Sequence, residues 1–342
     1  MNMYDYFMEE VSKQTEFENI ENKTLKPIIK WAGGKTRLNK QLIKITEVAS
    51  KILNIEKFNY YEPFFGGGAL FFELHKNRKI NSGHINDIIP HLISFYETVA
   101  KEEWLNVLFH EIESLTNTFE KGDQKEVYGS AKENSGWVKE FNNLWMGQHP
   151  KTKQEKIKSA ALFFVLNKTG FNGMFRLNKE GKFNIPKGDT NKINFDDKVK
   201  DNFRDISLLL SRTTIHLGSY EKLLPPENEI AKNTSFIYLD PPYIPDSKTA
   251  DFTDYSKEGF EEKDHKQVAD IFHQLAEDGY MVVLSNNSND DAKKMYAKNK
   301  KVFAYEVDVS RAIAKTKEGK RPPSKELLVS SFSLEELALD RV

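Results

Sequence analysis

Short apolar runs that each close on polar or turn-forming residues, separated by stretches with helical spacing, constrain this chain more than any other feature. NYYEPFFGGGALFFEL passes from an extended segment through three glycines into a helix-like stretch, and GHINDII ends in Asp87 before a long amphipathic run, PHLISFYETVAKEEWLNVLFHEIESL. TTIHLGSY, SFIYLDPPY and GYMVVLSNN repeat the pattern later. Strands alternating with helices predict an α/β fold with a doubly wound sheet. The alternation stops between Thr118 and Ser211, where the sequence turns polar and basic, with a helix predicted at KSAALFFVLNK and a β-hairpin through MFRLNKEGKFNIP. The expected organisation is an N-terminal extension (1–24), a core domain (25–115 and 212–342) and an inserted domain (116–211). The last two strands, KVFAYEVDV and SKELLVSSF, are joined by the basic RAIAKTKEGKRPPSK, a hairpin with a long loop.

Charge and composition limit the functions available. The 342 residues carry 50 Lys and Arg against 51 Asp and Glu, a net charge of -1, so affinity for an acidic polymer must come from a local patch. There are no cysteines, which excludes disulfides, iron–sulfur clusters and thiolate zinc sites and points to a reducing compartment. The first residues lack the basic start and apolar core of a signal peptide, and no apolar run has the length of a membrane helix. A soluble, cytoplasmic protein with no bound metal is expected.

KWAGGKTRL, Lys30 to Leu38, imitates a nucleotide-binding loop. A Walker A loop needs a glycine five positions before its Gly-Lys pair, and Ile29 stands there. Pro27 also makes the preceding segment unsuitable as a buried central strand.

In an open α/β sheet, ligands bind beyond the carboxyl ends of the strands where the strand order reverses. The loop Glu62-Pro63-Phe64-Phe65-Gly66-Gly67-Gly68 is such a strand end, although three glycines also suit a plain tight turn. Asp87 lies at the distance from it where a carboxylate accepts ribose hydroxyls, and would equally cap the following helix. Together they suggest an adenosine-containing ligand. The more specific motif is Asp240-Pro241-Pro242-Tyr243. Its prolines remove two backbone donors and hold the chain extended, leaving the Asp240 carboxylate and the Pro241 carbonyl to accept hydrogen bonds from an exocyclic amino group. Tyr243 adds a flat face on which a base can stack.

These elements in this order resemble the Dam-like family of DNA adenine-N6 methyltransferases, whose motifs are matched by KWAGGK, YYEPFFGGGALFF, IND and DPPY. LNKTGFNGMFRLNKEGKFNIPKG is similar to the family's DNA-reading segment, and SRAIAKTKEGKRPPSKELL to its basic C-terminal loop and closing strand. The resemblance spans Lys26 to Phe332 and leaves 1–24 and the stretch from Lys121 to Lys156 unplaced. It implies a Rossmann-like fold that uses S-adenosyl-L-methionine, with Trp31, Lys35, Glu62, Pro63, Phe64, Gly66, Gly68, Asp87, Tyr220 and Asp240 around the cofactor and Asp240, Pro241, Pro242 and Tyr243 at the reacting base. It implies no metal.

Between Lys151 and Lys192 ten Lys and Arg stand against three acids, the asymmetry that attraction to a phosphate backbone requires. A two-stranded ribbon turning at Asn178-Lys179-Glu180-Gly181 is narrow enough for a major groove, where Arg176 would read guanine and Asn178 or Asn184 adenine. Met174 or Phe175 would fill the gap left by a flipped base. Lys30, Asn172, Lys187, Arg311 and Arg321 complete the expected DNA contacts. After Pro186-Lys187-Gly188 the chain has Asp189 and Thr190 where many relatives carry Arg and an aromatic, so the recognition sequence stays open, with GATC as a first test. The expected partner is double-stranded DNA, met by a monomer that works alone or beside a restriction endonuclease. Two other readings remain: a DNA-binding module without catalysis, and a methyltransferase acting on RNA or on cytosine N4.

Overall fold

The computed structural model describes residues 25–31, 33, 38–147, 149–245, 260–299, 301–309 and 324–342, and these divide into two compact units. The strands in chain order are β1 (Phe58–Glu62), β2 (Ile80–Asp87), β3 (Thr213–Leu217), β4 (Ser235–Leu239), β5 (Met281–Asn287), β6 (Phe303–Val309), β7 (Ser324–Ser330) and β8 (Asp340–Arg341). Every strand expected from the apolar runs is present. Leu25–Lys30, with its Pro27, is in no strand.

One unit, formed by 35–65, 79–88 and 218–342, holds strands in the order β2-β1-β4-β5-β7-β6-β8. β2, β1, β4 and β5 are parallel, and β7 joins β5 antiparallel before turning back to β6. Chain order reverses between β1 and β4, so their carboxyl ends form the crevice of a doubly wound sheet. All five residues of β4 are buried, as a central strand covered on both faces must be. Helices Glu262–Glu277 and Asp290–Tyr296 cover one face through Val268, Phe272, Ala292 and Tyr296.

The other unit, 1–34, 66–78 and 89–217, is built on helices Pro90–Val99, Leu105–Lys121, Gly136–Trp145, Lys153–Thr169 and Asp197–Leu210. Within this unit Pro90–Val99 and Leu105–Lys121 pack on Lys153–Thr169. Lys153–Thr169 starts at a capping box of Thr152 and Glu155 and is buried on all sides over 159–167, with Leu162, Phe163, Phe164 and Val165 in the core. Phe95, Phe109, Phe164, Phe195 and Phe203 interlock around it. No described helix is long and apolar enough to cross a membrane.

Burial of two histidines ties stability to pH. Burial lowers His91 from its ordinary 6.5 to about 3, with His149 adding to the effect, and lowers His265 to about 4. His91 lies against Trp145, ring centroids 3.9 Å apart, and His265 bonds the Tyr296 hydroxyl at 2.9 Å. Both folded values are depressed, so their contribution is whole above the unfolded value of 6.5 and is lost as pH falls through the folded values. The urea midpoint should fall steadily between pH 6.5 and 4, and less steeply in His91→Phe; equal slopes would exclude the burial account.

Candidate active site

β4 delivers Asp240 to the carboxyl end of the sheet, where its carboxylate is held from β5. Ser285 Oγ, fully buried, donates to Asp240 Oδ1 at 2.8 Å and lies 2.8 Å from the Tyr238 hydroxyl. Ser285 has one proton and gives it to the carboxylate, so Tyr238 must be the donor of the second bond. Burial raises the Tyr238 hydroxyl well above its ordinary pKa, and Asp240 raises it further, so it remains a donor at any working pH.

The rest of the motif is anchored by the polar residues that end β5. Ile244 N donates to Asn286 Oδ1 at 3.0 Å, while Asn287 Nδ2 and Asn289 Nδ2 donate to the Ile244 carbonyl at 2.7 and 3.1 Å. The Tyr243 hydroxyl donates to Glu326 Oε2 on β7 at 2.7 Å, which fixes the position of the outer end of its ring. Burial, first, and then Asp240 push this hydroxyl well up as well. Pro241 is buried, and Pro242 and Tyr243 are half-buried.

The ends of β1 and β2 supply the other wall. Glu62 and Asp87 are both buried, at 3% and 9% exposure, which is unusual for carboxylates in a polar protein. Asn86 Nδ2 donates to the carbonyls of Pro63 and Gly218, each at 3.0 Å, and the Asn86 carbonyl accepts from Phe65 N at 2.9 Å. The loop after β1 is thereby fixed to the turn at Gly218, whose N–H donates to the Asp87 carbonyl. Phe64 stacks on Tyr220 with centroids 5.0 Å apart and meets Phe260 edge-on. Burial pushes Tyr220 up to about 12, with Glu221 adding. Glu62, Pro63, Phe64, Asp87, Tyr220 and the Asp240 motif thus gather at neighbouring strand ends.

Trp31, Gly66 and Gly68 belong to the other unit. Trp31 occupies the space beside the glycines: a Cβ on Gly66 would fall 2.7 Å from its Cδ1, and one on Gly67 3.0 Å from its Cβ. The indole also stacks on Phe175, centroids 5.9 Å apart. Gly68, with φ of 69°, turns the chain into helix Ala69–Lys76. Lys35, Arg311 and Arg321 lie outside the described residues.

The hairpin is an irregular ribbon closed by Asn178 N to the Lys182 carbonyl and Asn184 N to the Arg176 carbonyl. Arg176 is exposed, and its Nε donates across the ribbon to Asn184 Oδ1 at 2.9 Å. Asn178 Oδ1 accepts from the N–H groups of Glu180 and Lys182 and so builds the turn. Asn172 is exposed at a left-handed φ of 55°, and Met174 is half-buried. Phe175 is 4% exposed, packed among Trp31, His91, Phe163 and Phe183, so it is not free to act as a wedge; Phe171, 49% exposed, is the accessible ring. Lys187 turns its ammonium to the carbonyls of Gly188 and Thr190 and to Asn191 Oδ1. Exposed Lys30 runs across Gly173, and buried Asn167 bonds both backbone groups of Lys30 and the carbonyl of Gly173.

A family model for D12 class N6 adenine-specific DNA methyltransferases matches residues 31–313. The chain belongs to this family. It is 35% identical to the type II methyltransferase M.MjaIII of Methanocaldococcus jannaschii, over 78% of this chain and 86% of that one. It is 31% identical to the type II methyltransferase M1.LlaDCHI of Lactococcus lactis subsp. cremoris, over 90% and 96%, and 30% identical to a DNA adenine methylase of Vibrio cholerae, over 80% and 86%. The D12 class assignment makes the chain an adenine-specific DNA methyltransferase. Among the described residues no group of three or more His, Asp or Glu is placed to hold a metal.

Sequence reading of this D12 enzyme missed Ser285, Asn286, Glu326, Asn86 and Asn167, which hold the predicted residues rather than resemble a motif. The run Ser285-Asn286-Asn287-Ser288-Asn289 directly after a buried strand was the available signal. The glycine loop offers a test. Gly66→Ala adds both a clash with Trp31 and a φ of +52°, whereas Gly181→Ala, at φ +75°, meets nothing within 4 Å. Gly181→Ala should cost about 1–2 kcal/mol for the left-handed backbone alone. Gly66→Ala should cost more in the same urea titration; equal losses would contradict the Trp31 packing.

Proposed function

We propose that this enzyme transfers a methyl group from S-adenosyl-L-methionine to N6 of an adenine turned out of a short double-stranded DNA site. The observation that carries the reading is Asp240, held by Ser285 at the end of β4 with Pro241 beside it. When bound, S-adenosylmethionine would supply an electrophilic methyl on a sulfonium. The strand ends suit its adenosine part: Asp87 offers a carboxylate to ribose hydroxyls, Ile88 beside it is 60% exposed and apolar, and Phe64 and Tyr220 offer flat walls. Lys35 is proposed to meet the methionine carboxylate.

The N6 lone pair of adenine is delocalised into the ring and is a weak nucleophile. Asp240 and the Pro241 carbonyl, accepting the two amino hydrogens, favour a more tetrahedral nitrogen and stabilise the positive charge that grows on it. Ser285 keeps the accepting oxygen in place, and the Glu326 bond keeps the Tyr243 ring in position for stacking on the base. Such alignment, together with exclusion of water, is what this transfer asks of the protein.

Arg176 and Asn184, joined across the outer face of the ribbon, are proposed to read base edges, with Lys30, Asn172 and the Asn178 turn beside them. The type II names of two relatives favour a role protecting DNA from a companion restriction enzyme, and GATC is the first site to try. Labelled methyl from S-adenosylmethionine should appear on adenine of unmethylated DNA and vanish in Asp240→Ala, while the variant keeps the wild-type circular dichroism spectrum. An Asp240→Ala protein that still methylated adenine would overturn the assignment of Asp240.

A further inference from the structure

The segment from Lys121 to Lys156, which no motif accounts for, reaches the second strand of the hairpin at two points and the chain beyond it at a third. Asn142, 5% exposed in helix Gly136–Trp145, accepts from Phe183 N at 2.7 Å and donates to the Phe183 carbonyl at 3.1 Å. One side-chain amide thus satisfies both backbone groups of one residue, as a neighbouring strand would. Two residues on, the carbonyl of Ile185 accepts from the hydroxyl of fully buried Tyr128 at 2.9 Å. Burial raises that hydroxyl far above its ordinary pKa, so it is a permanent donor. Gln124 Nε2 donates to the Asn191 carbonyl at 2.8 Å, past the end of the strand.

Side chains alternate along an extended strand, so fixing residues 183 and 185 fixes residue 184 on the opposite face. Phe183 and Ile185 are 2% and 3% exposed, with Phe183 edge-on to Phe141 at 5.8 Å, while Asn184 points outward to Arg176. The ribbon has no sheet neighbour of its own among the described residues beyond isolated bridges at Leu177–Phe183 and Gly170–Lys187. Backbone bonds from Phe171 N to the Pro186 carbonyl and from Gly188 N to the Thr169 carbonyl hold the base of the ribbon, and side chains from the 121–156 segment set the height and register of residues 183–185.

We propose that Asn142 and Tyr128 are positioning residues for specificity: they hold the Arg176–Asn184 face in the register that matches one base sequence. The inference rests on the ribbon's reading of DNA proposed above. A ribbon released from these bonds still carries its basic and polar groups but samples several heights against the groove. Wrong sites then gain what the right site loses, with the reacting groups at Asp240 unchanged.

The test compares kcat/KM for a duplex carrying the site mapped by sequencing modified bases in cellular DNA with that for duplexes changed at one base pair. Tyr128→Phe removes one hydroxyl and keeps the ring, and Asn142→Ala removes the double bond to Phe183; unfolding midpoints are recorded for both, and Tyr128→Phe carries the test if Asn142→Ala does not fold. The discrimination ratio should fall by roughly tenfold, mainly through KM, with single-turnover rates at saturating cognate DNA within about twofold of wild type. An unchanged ratio in folded variants overturns the proposal. Arg176→Ala separates the two levels: if it relaxes the ratio and the other variants do not, the positioning role alone fails, and if it too leaves the ratio unchanged, the ribbon is not the reading element.

Discussion

The hydrogen bond from Ser285 Oγ to Asp240 Oδ1 is the contact on which the proposed chemistry depends. A carboxylate at a strand end can turn about its own bonds, and two prolines after it remove the backbone donors that would otherwise steady the loop. β5 supplies the missing restraint from one side, with Ser285 on the acid, Asn286 on Ile244 N, and Asn287 and Asn289 on the Ile244 carbonyl. Hydrogen bonds to a charged group contribute about 1.5–3 kcal/mol each, enough to select one carboxylate orientation. Parallel pairing of β4 with β5 is what brings those residues alongside.

The same logic runs through the helical unit, where aromatic packing replaces the sheet. Phe175 is stacked on Trp31 and lies near His91, Phe163 and Phe183, so the Lys30–Trp31 segment, the glycine loop and the hairpin share one apolar centre. Burial there lowers His91 and also takes Lys168 to about 8, with Lys30 adding to it, although the Lys168 ammonium still donates to the Ile28 carbonyl. Gly66, Gly67 and Gly173 are glycines because Trp31 and Lys30 take the room a side chain would need.

Much of this was legible in the residues. Period and punctuation marked β1, β2, β4 and β5 because each apolar run stops at a residue of different chemistry, and Glu62, Asp87 and Asp240 stood out as acids at those stops. Less visible was which side of the ribbon faces the interior: Phe175 reads as a wedge candidate in a basic segment and is instead core, because Trp31, His91, Phe183 and Phe163 of helix Lys153–Thr169 surround it. Nor was it visible that Pro90–Val99 and Leu105–Lys121 pack on Lys153–Thr169, since amphipathic spacing shows that a helix has a buried face but not against which partner. Ser285, Asn142 and Tyr128 act through the backbone or carboxylate of a residue far along the chain, and such pairings leave no local pattern.

The most direct measurement is the single-turnover rate of methyl transfer in Ser285→Ala at saturating DNA and donor. With only one oxygen removed, the account predicts a rate lower by roughly tenfold, equivalent to about 1.4 kcal/mol, with DNA affinity near that of wild type and stability lowered by the roughly 1.5–3 kcal/mol of the lost bond. A folded Ser285→Ala enzyme with an unchanged rate would show that Asp240 does not need its β5 anchor, and would contradict the account.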